Sequence, residues 1–217
     1  MSGDLLASGA FEALRAAGHV RRYQRGEAIM HERQVPGSII VVRSGHVKLT
    51  RGGRHGREAL LAIVGPGELV GELSAIDGEP RSATATALED VEALEVAAPA
   101  FSALLDRRPD LARHLLEVLS RRLRDGDLMR VEFAALDSVG RVCARLVELC
   151  DRFAQPVEEG GVRIEMVITQ DELADWAACS REAAGKALHL LRELGWIETS
   201  RRVVTIHSLD ELRMRCS

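Results

Sequence analysis

The sequence predicts an α+β chain in which a many-stranded antiparallel domain is followed by a long helix and then by a second domain of short helices closed by a hairpin. Three observations carry this. From Val20 to Val96 the apolar residues come in short or alternating runs divided by glycine-bearing turns. From Pro109 to about Leu136 the period is helical, with no internal proline. After Thr169 two short helical stretches follow one another closely, and two short apolar runs come after them.

In chain order, Leu6, Ala10, Leu14 and Ala17 have helical spacing between Leu5 and Gly18, which predicts a leading helix. Strands are expected at Ala28 to Met30, Ser38 to Val42, His46 to Thr50, Ala59 to Val64 and Val91 to Val96. Turns fall at Pro36-Gly37, Ser44-Gly45, Gly52-Gly53 and Gly65-Pro66-Gly67. So many short strands argue for a small antiparallel barrel or sandwich.

Inside it lies Gly67 to Ala83, G-E-L-V-G-E-L-S-A-I-D-G-E-P-R-S-A, whose residue types suit a small phosphate ester. Gly67 and Gly71 let the backbone turn tightly and approach a ligand. Arg81 can grip two phosphate oxygens, and Ser82 adds a hydroxyl and an amide. Glu72 would be repelled by a phosphate unless a ribose hydroxyl lay between them. The competing reading is a surface hairpin turning at Asp77-Gly78, with Glu72 and Arg81 as an exposed pair contributing about 0–1 kcal/mol.

The helical stretch from Pro109 would make a rod of roughly 40 Å at 1.5 Å per residue. Leu116, Leu119, Leu123, Gly126, Arg130 and Phe133 step by threes and fours, as in a two-stranded seam, although a helix packed on its own barrel also fits. Asp137-Ser138 reads as an N-cap and hinge. Beyond it, Val139, Val142, Cys143, Leu146, Leu149 and Cys150 form one face of a helix reaching Phe153, and Val162 to Ile168 alternates like a strand.

Thr169 and Glu172 form a capping box. A short helix, a turn at Ala178-Cys179 and a Ser180 cap follow. Leu188, Leu191 and Leu194 should then face the core before Gly195 ends the second helix. An αα-hairpin with a charged face and a helix-turn-helix both fit this stretch. Trp196 to Glu198 and Val203 to Ile206 pair across Ser200-Arg201-Arg202, and His207 to Ser217 holds a short terminal helix.

Composition bounds the classes. With 217 residues, 46% hydrophobic and 3% aromatic, the chain suits two modest domains with aliphatic cores. A net charge of −4 means that any nucleic-acid contact must come from a local patch. No apolar run approaches the roughly 18 residues a membrane helix needs, so a cytoplasmic protein without a membrane partner is expected. Cys143, Cys150, Cys179 and Cys216 lack C-x-x-C spacing and are expected as plain thiols, and no histidines stand at metal-ligand spacing. No metal is expected. No nucleophile with a paired base and no P-loop is visible, so the chain is not expected to be an enzyme.

Two motifs resemble one family. G-E-L at Gly71 to Leu73 and R-S-A at Arg81 to Ala83 resemble the phosphate-binding cassette of the bacterial cyclic-AMP receptor protein (CRP/FNR) family. C-S-R-E at Cys179 to Glu182, followed by Gly185-Lys186, resembles its recognition helix. The resemblance implies a cyclic-nucleotide-binding antiparallel β-roll over 1–107, a dimerisation helix over 108–136 and a winged helix-turn-helix over 137–217. It implies that Glu72 holds the ribose 2′-hydroxyl and that Arg81 and Ser82 hold the cyclic phosphate. The backbone at Gly71, Leu73 and Ala83 would complete the pocket, with Asp127 at the base. The cofactor implied is cyclic AMP, with cyclic GMP or another nucleotide open. DNA contacts are implied for Thr169, Ser180, Arg181, Glu182, Lys186, Arg201 and Arg202. The implied partners are double-stranded DNA with an inverted repeat, a second copy of the chain, and RNA polymerase.

The chain departs from the pattern in places. Asp125-Gly126-Asp127 stands where cyclic-AMP receptors place a Thr-Ser pair, Ala178 where glycine is common, Lys186 where arginine is common, and Ala183 where a polar or β-branched residue is usual. A degenerate or differently liganded sensor on the same DNA-binding frame is therefore the alternative, and a nucleotide-regulated enzyme subunit a remoter one.

Overall fold

The computed structural model describes residues 5–216 apart from 8, 54–57, 158–160, 166–167 and 201–202. By their contacts the residues form two units that meet between Arg124 and Asp125, inside the long helix.

The first unit opens with a 3-10 turn at Leu5–Ala7 and helix α1 (Gly9–Ala17). The strands are β1 (Gly18–Tyr23), β2 (Ala28–Met30), β3 (Ser38–Ser44), β4 (Val47–Gly52), β5 (Glu58–Val64) and β6 (Leu69–Val70). Helix α2 (Glu72–Asp77), β7 (Thr84–Ala87), β8 (Val91–Ala97), α3 (Ala98–Arg107) and α4 (Pro109–Ala135) follow. Two four-stranded antiparallel sheets result, ordered β1-β8-β3-β6 and β2-β7-β4-β5. All five expected strands are present. The sequence gives little sign of β1, β6 and β7, because β1 carries His19, Arg21 and Arg22, β6 has two residues, and β7 reads Thr-Ala-Thr-Ala.

Strand β3 explains its own unbroken Ile39-Ile40-Val41-Val42 run. Ile39 and Val41 join a core with Leu14, Phe101, Leu111 and Leu115 under the helices, while Ile40 and Val42 face Tyr23, Val47, Val64 and Ala93 inside the roll. A strand buried on both faces needs apolar residues at every position. Each such side chain contributes about 1.5–3 kcal/mol of transfer free energy.

In the second unit, α5 (Ser138–Phe153), β9 (Gln155–Pro156), β10 (Val162–Glu165), α6 (Gln170–Trp176), α7 (Arg181–Glu193), β11 (Ile197–Ser200), β12 (Val203–Ile206) and α8 (Leu209–Arg215) follow α4. Asp137 caps α5, its carboxylate accepting from the Gly140 amide at 2.8 Å. The expected α5 face is buried at Val142, Cys143, Leu146, Leu149 and Cys150. The strand expected over Val162 to Ile168 ends at Glu165 in the described part, residues 166–167 lying outside it. A second correction concerns Leu194. It is exposed and does not face the core, because α7 ends at Glu193 and the chain turns away through Gly195 at φ +70°.

Candidate functional site

Between β6 and β7 the chain forms a short helix, not a surface hairpin. Gly71 precedes it at φ +85° and Gly78 follows it at φ +75°, left-handed values that favour glycine at both ends. A side-chain carbon at Gly71 would also stand 2.5 Å from Arg81 Nη1 and 2.8 Å from Met30 Sδ, so both side chains would have to move.

The hairpin reading also fails on exposure. Glu72 is 1% exposed and Arg81 5%. Arg81 Nη1 donates to the Gly71 carbonyl at 2.7 Å, and Nη2 donates to the Ser38 carbonyl. Among the described residues its guanidinium has only carbonyls for hydrogen-bond partners. Burial lowers its pKa, opposed by the charge of Glu72 nearby. Glu72 is held instead by Arg122 of α4, whose Nη1 donates to its carboxylate while Nη2 donates to the Leu69 carbonyl at 2.7 Å. Burial pushes the Glu72 carboxyl above the usual carboxylate range, against the pull of Arg122, a backbone hydrogen bond and Arg81.

Reasoning from sequence did not single out Arg122. The signal was there, because Leu111, Leu115, Val118 and Arg122 step by four, three and four and so share the buried stripe of α4. A cation on a buried stripe calls for a buried anion. Of the other cassette residues, Ser82 and Leu73 are exposed and Ala83 is half-buried. Asp127 belongs to the second unit, where it is exposed and paired with Arg130 one turn along α4.

The second unit assembles the other group of candidates. Thr169 and Glu172 form the capping box, with Glu172 N donating to Thr169 Oγ1 at 3.2 Å and Thr169 N to Glu172 Oε2 at 2.7 Å. Ala178 makes the turn at φ +47°, a left-handed conformation uncommon for alanine. Ser180 Oγ then accepts from the Ala183 amide at 3.1 Å and starts α7. A side-chain carbon at Gly185 would stand 2.8 Å from Gln170 Nε2, so a larger residue there would require the Gln170 side chain to move.

Arg181, Glu182 and Lys186 are thereby exposed together on the first turns of α7. Arg181 Nε lies 3.1 Å from Asp171, and Lys186 Nζ lies 2.7 Å from Glu182. Strands β11 and β12 pair from Ile197 with Ile206 to Ser200 with Val203, and β10 extends the sheet. The candidates Arg201 and Arg202 lie outside the described residues. Among the described residues no group of three or more histidine, cysteine or acidic side chains could hold a metal, and no helix is long and apolar enough to cross a membrane.

Comparison with known proteins agrees with this division of roles. Residues 20–108 match the cyclic nucleotide-binding domain, and residues 140–215 match the Crp-like helix-turn-helix domain. The chain is 34% identical to the CRP-like cAMP-activated global transcriptional regulator of Mycobacterium tuberculosis, over 89% of this chain and 86% of that protein. It is 36% identical to the cyclic AMP receptor protein of Thermus thermophilus, over 81% of this chain and 77% of that one. The c-di-GMP responsive global regulator CLP of Xanthomonas campestris shares its fold with a TM-score of 0.79 at 25% identity, covering 92% and 98% of the two chains. With an αL glycine and a buried arginine in the cassette, a capped helix-turn-helix after it, and these relatives spanning both, the chain belongs to the CRP/FNR family of transcription regulators.

Proposed function

We propose that this chain is a homodimeric regulator whose affinity for an inverted-repeat DNA site is set by cyclic AMP bound at the Gly71–Ala83 cassette. The observation that carries the reading is Arg81: a buried guanidinium whose hydrogen-bond partners among the described residues are carbonyls alone. A buried cation without a bonded counter-ion is costly and is relieved by an anion that brings oxygens to its remaining donors.

In this reading Arg81 and Ser82 hold the phosphate, the backbone at Gly71, Leu73 and Ala83 lines the pocket, and Glu72, oriented by Arg122, accepts from the ribose 2′-hydroxyl. Nucleotide shifts the equilibrium between two arrangements of the dimer only through its differential affinity for them. The DNA contacts are then Arg181, Glu182 and Lys186 on base edges, with Thr169, Ser180, Arg201 and Arg202 at phosphates. Capture of RNA polymerase and a cytoplasmic site of action follow from the same reading.

A second reading keeps the DNA module and changes the effector. It is favoured by Asp127, an exposed carboxylate paired with Arg130 where a hydroxyl would be expected to meet the base, and by the c-di-GMP responsiveness of the CLP relative. Calorimetric titration of nucleotide-stripped protein with cyclic AMP, cyclic GMP, c-di-GMP and 5′-AMP separates the two. The first reading predicts saturable cyclic AMP binding, much weaker 5′-AMP binding, and loss of both in a folded Arg81→Ala variant. Preference for c-di-GMP, or cyclic AMP binding unchanged by Arg81→Ala, would contradict it.

A further inference from the structure

The part of α4 beyond Gly126 is joined to α5 and α6 by two arginines of α5: Arg141, which donates to the Phe133 and Leu136 carbonyls at 3.5 and 3.0 Å and to the Ala177 and Ala178 carbonyls at 2.9 and 3.3 Å, and the buried Arg145. Arg145 of α5 is 5% exposed. Its Nη2 donates to Glu132 of α4, and its Nη1 donates to Glu148 of α5 at 2.8 Å. Its guanidinium carbon stands 5.4 Å from the centre of the Trp176 ring, on the last turn of α6. Trp176 is 3% exposed, and among the described residues its indole N–H has no hydrogen-bond partner. The Arg145 guanidinium lies over the Trp176 ring face, the side of an aromatic ring that attracts a cation.

Apolar packing does not fix these elements on its own. A cavity of about 390 Å³, lined by Met129, Phe133, Arg145, Trp176 and Ala177 among others, opens between them. The angle between this part of α4 and the helix-turn-helix thus depends on Arg141, which holds backbone carbonyls on both sides, and on a planar cation, Arg145, that meets two carboxylates and one ring at once.

We infer that Arg145 is a positioning residue for DNA recognition, holding the helix-turn-helix at a set angle to α4 through Glu132 and Trp176. The inference rests on the reading of this chain as a DNA-binding regulator. A fixed angle matters for specific binding, in which two recognition helices must reach half-sites about one turn of DNA apart. It matters little for non-specific binding, which depends on phosphate charge.

The test measures the ratio of specific to non-specific DNA affinity for the full chain, with and without cyclic AMP. The specific probe is a duplex selected by the wild-type protein from a random pool, and the non-specific probe is a scrambled duplex of the same length. The variants are Arg145→Met, Arg145→Lys, and Glu132→Leu combined with Arg145→Met, which leaves no unpaired Glu132 carboxylate if the single change fails to fold. The expected result is a ratio reduced at least tenfold in every folded variant, with non-specific affinity changed less than threefold. Lysine does not rescue, since a point charge cannot span both carboxylates and lie flat on the ring. In a Trp196→Phe background, Trp176 fluorescence should also change on Arg145→Met. A wild-type ratio in folded Arg145→Met or in the folded double variant would overturn the inference, as would a proportional loss on both probes. Nucleotide-independent binding by the wild type would contradict the proposed effector control while leaving the Arg145 comparison readable, and absence of any DNA binding would overturn both.

Discussion

Single residues carry strain and burial whose effects can be measured. Ala178 is held at φ +47° in the turn between α6 and α7, a conformation costing an L-residue roughly 1–2 kcal/mol that glycine avoids. Ala178→Gly should therefore stabilise the chain by about 1 kcal/mol, raising the midpoint of thermal unfolding by a few degrees; an unchanged or lower midpoint would contradict this. Cys143 and Cys150 are buried thiols. Burial pushes Cys143 up to about 12, helped by Cys216 nearby, and Cys150 up to about 11, helped by Asp151. Both keep their protons in the folded state while the unfolded chain loses them from about 8.5 upward. Stability from these groups is thus fully present below that pH and is lost as pH rises toward 11–12. Denaturant midpoints should fall over that range, less so in Cys143→Ala, and neither thiol should react with a disulfide reagent at pH 8 before unfolding. The cassette glycine and arginine were legible in the sequence because their chemistry is local. Arg122 was not, because its role depends on a partner fifty positions away.

At the scale of elements, α4 serves two faces. Leu111, Leu115 and Val118 are buried within the first unit, while Leu116 and Leu123 of the same stretch are each 65% exposed. The reading of a helix packed on its own barrel describes the first half of this helix, which also leaves Leu116 and Leu123 exposed. If the proposed dimer forms along this face, Leu123→Asp would place a charge in it, and the variant should sediment as a monomer at concentrations where the wild type sediments as a dimer. A dimer of unchanged stability would place the interface elsewhere. The capping box at Thr169 and Glu172 and the caps at Asp137 and Ser180 were readable because a cap is decided by residues three apart. The helix inside the cassette was not, since Glu72–Asp77 is too short for a period and is set by two left-handed glycines and the burial of Glu72. The two-residue β6 and the small-residue β7 escaped for a related reason: their place is fixed by pairing with β3 and β4, and they carry little pattern of their own.

For the whole molecule, a cyclic nucleotide-binding domain and a Crp-like helix-turn-helix domain lie on one chain, and helix α4 runs from the first unit into the second. Composition said little about this, because a net charge of −4 hides the local distribution on which both functions depend. Two motifs in the right order said more, as each restricts what the other can mean. Gly71→Ala gives a check from the sensor side. It forces a side chain into the φ +85° position and against Arg81 Nη1, so cyclic AMP affinity should fall at least tenfold while DNA binding without nucleotide stays near the wild-type level. The most direct test of the central claim is fluorescence anisotropy of a labelled inverted-repeat duplex, selected by the protein itself, titrated with nucleotide-stripped wild type and Arg81→Ala with and without saturating cyclic AMP. Cyclic AMP should tighten wild-type binding by at least tenfold and leave Arg81→Ala unchanged. Equal affinity with and without the nucleotide in the wild type would contradict that claim.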